Sequence, residues 1–236
     1  MPLPMNFQVD PRDVNAQARF NMIEQQIRPW NVLDEGVLEL LGKLRREDFV
    51  PPQHAGVAFM DLEVPLSEST EQAMLKGWNM QAPRVEARTL QDLQIKPTDR
   101  VLEIGAGSGY MAALLAAQAK EVVTLEIVPE LAEMARENLL SAGINNVEVK
   151  LADGATAAAS LGMFDVIVLS GSVGMLPEGL MAQLNNGGRM SAIVGQLPMM
   201  RFTLVTKNGN TFDVREPWDV VAARLENFEE PSRFTF

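Results

Sequence analysis

The sequence predicts an α/β protein, with a mainly parallel sheet between helices, an antiparallel hairpin at one edge, and a helical segment in front. Three observations carry this. From residue 100 onward, short apolar strands alternate with helical stretches, the pattern of a parallel sheet covered on both faces. The first of those strands runs through a glycine-rich turn straight into a helix. Before residue 96 the chain reads instead as helices joined by proline-containing connections. Residues 1–95 are therefore expected to form a helical cap and acceptor-side segment, and residues 96–236 a ligand-binding core.

The elements follow in order. Asp10-Pro11 is a helix start, with Asp as cap and Pro in the first turn. Val14, Ala18, Met22 and Ile23 recur at helical spacing until Arg28-Pro29 ends the run. A second helix starts at Asp34 and carries Val37, Leu38, Leu40, Leu41 and Leu44, stopping before Phe49-Val50-Pro51-Pro52. Residues 51–70 hold Pro, Gly and Ser and read as extended or looped. A third helix spans Pro83 to Leu93. In the core, strands are expected at 101–104, 122–125, 147–149, 165–169 and 190–194. Helices are expected at 110–119, at 129–140 with Gly143 closing the end, and at 177–184. Past Phe202 the pattern alternates and turns at Asn208-Gly209 into Thr211 to Val214, a hairpin signal.

Composition narrows the chemistry. The 236 residues carry 20 Lys+Arg against 31 Asp+Glu, a formal charge of −11 that argues against nucleic acid or anionic lipid as a partner. Zero Cys excludes a disulfide framework, a thiol nucleophile and any cysteine metal site, and one His, His54, excludes histidine-rich metal sites. No metal is expected. No early stretch has the form of an export signal, and no apolar run approaches a membrane span, so a cytoplasmic protein is expected. Its chemistry must come from carboxylates, amides, hydroxyls or a borrowed cofactor.

The most informative stretch is Val101-Leu102-Glu103-Ile104-Gly105-Ala106-Gly107-Ser108-Gly109-Tyr110. Glycines in a first β–α turn let a ligand lie against bare main chain. Dinucleotide folds use G-x-G-x-x-G, whereas here the spacing is G-x-G-x-G, and Tyr110 stands where a third glycine would fall. Closeness without a phosphate grip suits S-adenosylmethionine. Gly105, Ala106, Gly107 and Gly109 would form its bed. Glu103, before the glycines, would accept from the ligand's amine. Glu126, about 20 residues on with Ile127 beside it, would accept the ribose hydroxyls. Asp153-Gly154, after the third strand, would meet the adenine amino group. All three acids stand at carboxyl ends of parallel strands, where open α/β sheets bind ligands. One acid alone would be an ordinary cap, but three at successive strand ends with the turn form a set.

With these residues the chain resembles the protein-L-isoaspartate O-methyltransferase family. The likeness continues through Asn145-Asn146-Val147, Asp153-Gly154, Phe164-Asp165-Val166-Ile167-Val168, Leu176-Pro177, Gln183-Leu184 and Gly187-Gly188-Arg189. Upstream, Arg46-Glu47-Asp48-Phe49-Val50-Pro51 resembles a family segment R-E-x-F-V-P. The resemblance implies a Rossmann-like seven-strand methyltransferase sheet with an N-terminal helical cap, S-adenosylmethionine as methyl donor, and isoaspartyl residues of a protein or peptide as acceptor.

The departure falls on the acceptor side. The family typically carries G-Q-T-I-S-Q-P, and this chain reads Gly77-Trp78-Asn79-Met80-Gln81-Ala82-Pro83. Asn79 and Gln81 stand where the family's Thr and Ser hydroxyls would face the reacting carboxylate. An amide is larger, and offers both donor and acceptor. The ending Leu225-Glu226-Asn227-Phe228 also lacks a clear version of the family's V-x-F-V-P-L. The amides could equally be loop caps. Three alternatives stay open: a small-molecule or different protein acceptor with the same cofactor, a non-catalytic cofactor-binding or interaction protein, and, more distantly, a dinucleotide oxidoreductase. His54 reads as a loop histidine, Asp61 as a cap, Trp78 as core and the 14 Met as core filler. Oligomeric state has no signal in the sequence.

Overall fold

The computed structural model describes residues 13–232. Two compact units divide the chain between Gln94 and Ile95.

In the first unit, α1 (Val14–Met22) starts at Asp13, whose Oδ1 accepts from the Ala16 N–H at 3.0 Å. The cap expected at Asp10 lies outside the described residues. The helical run lasts to the expected Arg28-Pro29, but not as α-helix throughout. It widens into a π turn over Ile23–Ile27, tightens into a 3₁₀ turn over Arg28–Trp30, and ends at Asn31 in the left-handed region. The π turn places Ile23 and Ile27, both fully buried, on one side. Next, α2 (Glu35–Lys43) is capped by Asp34 through the Val37 N–H at 3.0 Å. Two 3₁₀ turns, Arg46–Phe49 and Pro52–Val57, precede a two-residue strand, β1 (Val64–Pro65). Residues 51–70 are thus more ordered than expected. A helix the spacing does not show, α3 (Thr70–Lys76), follows its Ser69 cap and ends on Gly77. It buries only Ala73, so it has no apolar stripe to read. β2 (Asn79–Met80) pairs antiparallel with β1, and α4 (Pro83–Leu93) begins on its proline as expected. Leu38 and Leu41 from α2 and Leu90 and Leu93 from α4 are buried where these helices meet.

The second unit is the α/β core. β3 (Arg100–Ile104) leads through the glycine turn into α5 (Tyr110–Ala116), then β4 (Glu121–Glu126), α6 (Pro129–Ser141) and β5 (Val147–Leu151). α7 (Gly154–Ala157) and a 3₁₀ turn lead to β6 (Phe164–Val173), α8 (Glu178–Ala182) and β7 (Leu184–Gln196). β8 (Met199–Asn208) and β9 (Thr211–Asp219) form the terminal hairpin. Among the described residues these strands make a seven-stranded sheet, ordered β5-β4-β3-β6-β7-β8-β9. The first five run parallel and the last two antiparallel. Right-handed crossovers put α5 and α6 on one face and α7 and α8 on the other. Strand order reverses between β3 and β6, so the crevice of an open α/β sheet lies at their carboxyl ends.

Two differences from expectation have local causes. α5 ends at Ala116 rather than Ala119, because the Asn146 side-chain amide captures the Ala116 and Ala119 carbonyls. β6 runs on past Leu169 to Val173 because β7 pairs Ser172 and Val173 with Ile193 and Val194 beyond a bulge, and on the other side the Ser172 N–H donates to Ala223 O at 2.7 Å. The methionines divide. Met22, Met111 and Met190 are core, while Met74 and Met199 are exposed.

Candidate active site

The glycine turn is built for close approach. Gly105, Gly107 and Gly109 all hold positive φ, at 93°, 52° and 82°. At Gly109 a side chain would also press on the backbone of Ala135 in α6, with its Cβ 3.1 Å from the Ala135 carbonyl oxygen. The turn is tied to β4 by the Gly105 N–H, which donates to Leu125 O at 2.8 Å.

Glu126 is the pivot of the site. Its carboxylate is buried at the carboxyl end of β4, and three main-chain amides hold it. Oε2 accepts from the Gly107 N–H at 2.8 Å, while Oε1 accepts from Ile127 at 2.9 Å and Val128 at 3.0 Å. Burial pushes its pKa up, the three amides pull it back, and the negative charge of Glu226 pushes it up again. The Gly107 amide, which a dinucleotide fold would offer to a phosphate, is spent on a carboxylate here. A pyrophosphate would therefore meet the Glu126 carboxylate rather than a free Gly107 amide.

Glu103 is fully buried one residue before the end of β3. Its oxygens accept from Thr124 Oγ1 and Ser170 Oγ, each at 2.7 Å. Asp153 caps α7 through the Ala155 N–H at 2.9 Å, and its other oxygen accepts from the Asn227 amide at 3.0 Å. Gly154 sits so close to β3 that a Cβ on it would overlap Ile104 Cγ2. Glu103, Glu126 and Asp153 thus line successive strand ends, as the spacing predicts.

Sequence reasoning missed the partners. Ser170 and Thr124 are ordinary strand hydroxyls until the register brings them to Glu103. The segment after β9 carries no pattern, yet it returns to this edge. Leu225 N–H donates to Ser172 O at 2.9 Å, and Leu225 Cδ2 lies 3.0 Å from where a Cβ on Gly105 would stand. Leu225, Glu226 and Asn227 in turn address Gly105, Glu126 and Asp153.

These residues suit S-adenosylmethionine. Its sulfonium and ammonium give it two positive charges against one carboxylate, and the edge offers Glu103, Glu126, Asp153 and Glu226 with bare main chain between them. Among the described residues no three His, Asp or Glu side chains gather as a metal site.

The residues expected on the acceptor side belong to the first unit. Asn79 and Gln81 are half-buried. The Asn79 amide donates to Glu63 Oε2 at 3.4 Å, and burial pushes the Glu63 carboxyl up against that bond. The main-chain carbonyl of Gln81 accepts from Arg46, whose guanidinium also pairs with Glu86. Burial pushes Glu86 up to about 7, with Arg46 opposing the shift. His54 Nε2 lies 3.2 Å from Ser67 O, a loop contact. Asp61 caps no helix and instead pairs with Arg84. Trp78 is half-buried rather than core, with Lys76 Nζ 4.0 Å from its ring centroid.

Comparison with known proteins gives consistent results. A family model described as Protein-L-isoaspartate(D-aspartate) O-methyltransferase matches residues 17–221. A protein-L-isoaspartate O-methyltransferase of Methanoculleus marisnigri is 40% identical over 183 residues, covering 78% of this chain and 80% of the relative. Among solved structures, a protein-L-isoaspartate O-methyltransferase superposes with a TM-score of 0.73 at 22% identity, over 87% of this chain and 65% of its own. A Plasmodium falciparum chain described as the same kind of enzyme, solved with S-adenosyl-L-homocysteine, gives 0.72 at 20% identity, over 90% and 98%. At those identities the two structures speak for the fold.

Proposed function

The chain belongs to the protein-L-isoaspartate(D-aspartate) O-methyltransferase family, and from that premise we propose that it methylates the free carboxylate of isoaspartyl residues in damaged proteins. The observation that carries the reading is Glu126, buried at a strand end and held by Gly107, Ile127 and Val128 beside a glycine turn. S-adenosylmethionine, when bound, supplies an electrophilic methyl group on a sulfonium. The protein's work is then to bind, orient and dry. Gly105, Ala106, Gly107 and Gly109 give the bed. Glu103, braced by Thr124 and Ser170, accepts from the ligand's ammonium. Glu126, with Ile127 alongside, takes the ribose hydroxyls, and Asp153-Gly154 takes the adenine edge.

An isoaspartyl carboxylate is already an anion, so no side chain has to remove a proton. Positioning and exclusion of water supply the rate. Asn79 and Gln81 serve the acceptor as amides in place of hydroxyls, and amide N–H groups can still orient a carboxylate. A second reading, in which the acceptor differs, is favoured by the Asn79–Glu63 contact, which commits one Asn79 donor to a protein carboxylate. The acidic surface and the absence of Cys suit a cytoplasmic enzyme with no nucleic-acid partner.

Incubation with labelled S-adenosylmethionine and an isoaspartyl peptide tests this. Base-labile methyl ester on the isoaspartyl peptide, and none on its normal aspartyl twin, is expected. No ester beside an active control enzyme would sink the repair reading. Cofactor binding retained in that same sample would move weight to a different acceptor.

A further inference from the structure

Arg46 is fully buried, and so is the carboxylate it pairs with, Glu86. Such a pair gives up so much hydration that it adds little net stability compared with apolar residues of the same volume. What it does provide is geometry. From one guanidinium, Nε donates to Ala58 O at 2.9 Å, Nη1 to Glu86, and Nη2 to the main-chain carbonyl of Gln81. Those acceptors come from three places: the end of the Pro52–Val57 turn, the first turn of α4, and the stretch joining β2 to α4.

Besides that fork, the 79–82 stretch is held by its pairing with β1, by the Asn79–Glu63 contact and by burial of Met80 and Ala82. Its strand is two residues long, and α4 has no side-chain cap, because its N-cap is Ala82 and its first residue is Pro83. The planar fork of Arg46 therefore sets where the Gln81 peptide plane lies, and with it the direction of the Gln81 side chain. The pair cannot bind substrate itself, since neither side chain reaches solvent.

We propose that Arg46 and Glu86 act as positioning residues for acceptor methylation, a buried clamp that fixes the Asn79–Ala82 stretch. This rests on the reading that Asn79 and Gln81 serve the acceptor. It assigns the clamp to one substrate only, so disturbing it should weaken the peptide's use and spare the cofactor's.

Three variants of the full chain decide the matter: Arg46→Lys, Glu86→Leu and Glu86→Gln. Lys offers a single ammonium in place of the fork, Leu removes the anchor, and Gln keeps an acceptor oxygen for Arg46. Circular dichroism and melting curves fix an assay temperature at which each variant is folded. Arg46→Lys and Glu86→Leu are expected to raise the isoaspartyl-peptide KM about tenfold, a misplacement effect, with Glu86→Gln returning it to within about threefold of the parent. The Kd for S-adenosylhomocysteine, read by calorimetry, should stay within about twofold in all three. Hydrogen exchange should show amides 79–82 losing protection in Arg46→Lys. If Glu86→Leu does not fold, Arg46→Lys carries the test.

A folded Arg46→Lys variant with unchanged peptide KM would overturn the clamp, as would equal losses for peptide and cofactor. If the parent chain makes no ester at all, the acceptor reading fails, and the positioning role falls with it. Faster exchange at 79–82 would then still report the clamp as a purely structural one.

Discussion

Glu126 brings together two demands that oppose each other. Burial disfavours its charged form, yet the proposed role of receiving ribose hydroxyls works best with an ionised carboxylate, and three main-chain amides favour that form. Its pKa lies above the ordinary carboxylate range because burial and Glu226 outweigh the amides. The sign of the pH effect follows. Above the raised pKa Glu126 is ionised and cofactor affinity is full; as pH falls through that pKa the proton displaces the donors and affinity drops. The loss should set in at a higher pH than an unperturbed carboxylate would produce. Glu126→Gln should lower affinity for S-adenosylhomocysteine by about 1.5–3 kcal/mol, roughly tenfold to hundredfold, the worth of a hydrogen bond to a charged group. It should also flatten the acid limb. Calorimetric titrations of parent and variant from neutral to mildly acid pH check both, and an acid limb that survives in Glu126→Gln would assign the titration to another group.

At the level of strands and helices, the β5–α7 corner is locked to β3 by one glycine. A Cβ on Gly154 would overlap Ile104 Cγ2, and Ile104 is buried in the core of the sheet. Gly154→Ala should therefore cost about 1–3 kcal/mol as an overpacking substitution, several degrees in melting temperature. A melting curve that matches the parent would show that the corner is loose. This corner was legible from sequence only in part. Val101 to Ile104 and the D-V-I-V-L run of β6 announce buried parallel strands because each is a near-continuous apolar run with a single acid. The glycine spacing announces the turn. α3 stays hidden because a helix that buries only Ala73 leaves no periodic trace, and the π turn at Ile23–Ile27 because its spacing imitates α-helix. The pairs Arg46–Glu86 and Asn227–Asp153 bridge 40 and 74 positions, and nothing local in either member names the other. What sequence shows is the residue whose role is set by its own strand end. What it hides is the residue whose role is set by a distant partner.

Taken whole, the proposed assignments divide the two binding tasks along the chain. Every residue proposed for the cofactor lies inside the unit that starts at Ile95, whereas Asn79 and Gln81 lie in the unit that ends at Gln94. The second unit also has its own apolar cluster, running from Leu102 and Ile104 through Phe164 and Ile167 to Leu184 and Met190. A domain-sized piece with its own core can fold alone. Residues 95–236 produced by themselves should therefore give a cooperative melting transition and bind S-adenosylhomocysteine within about threefold of the full chain, a difference below about 1 kcal/mol. They should make no ester on an isoaspartyl peptide. Calorimetry and the labelled-methyl assay on the same preparation read the two tasks separately. Loss of cofactor binding in a folded fragment would mean that the first unit supplies part of the cofactor site. Ester formation by the fragment would mean that the acceptor is held by residues of the core, and that Asn79 and Gln81 have no part in holding it.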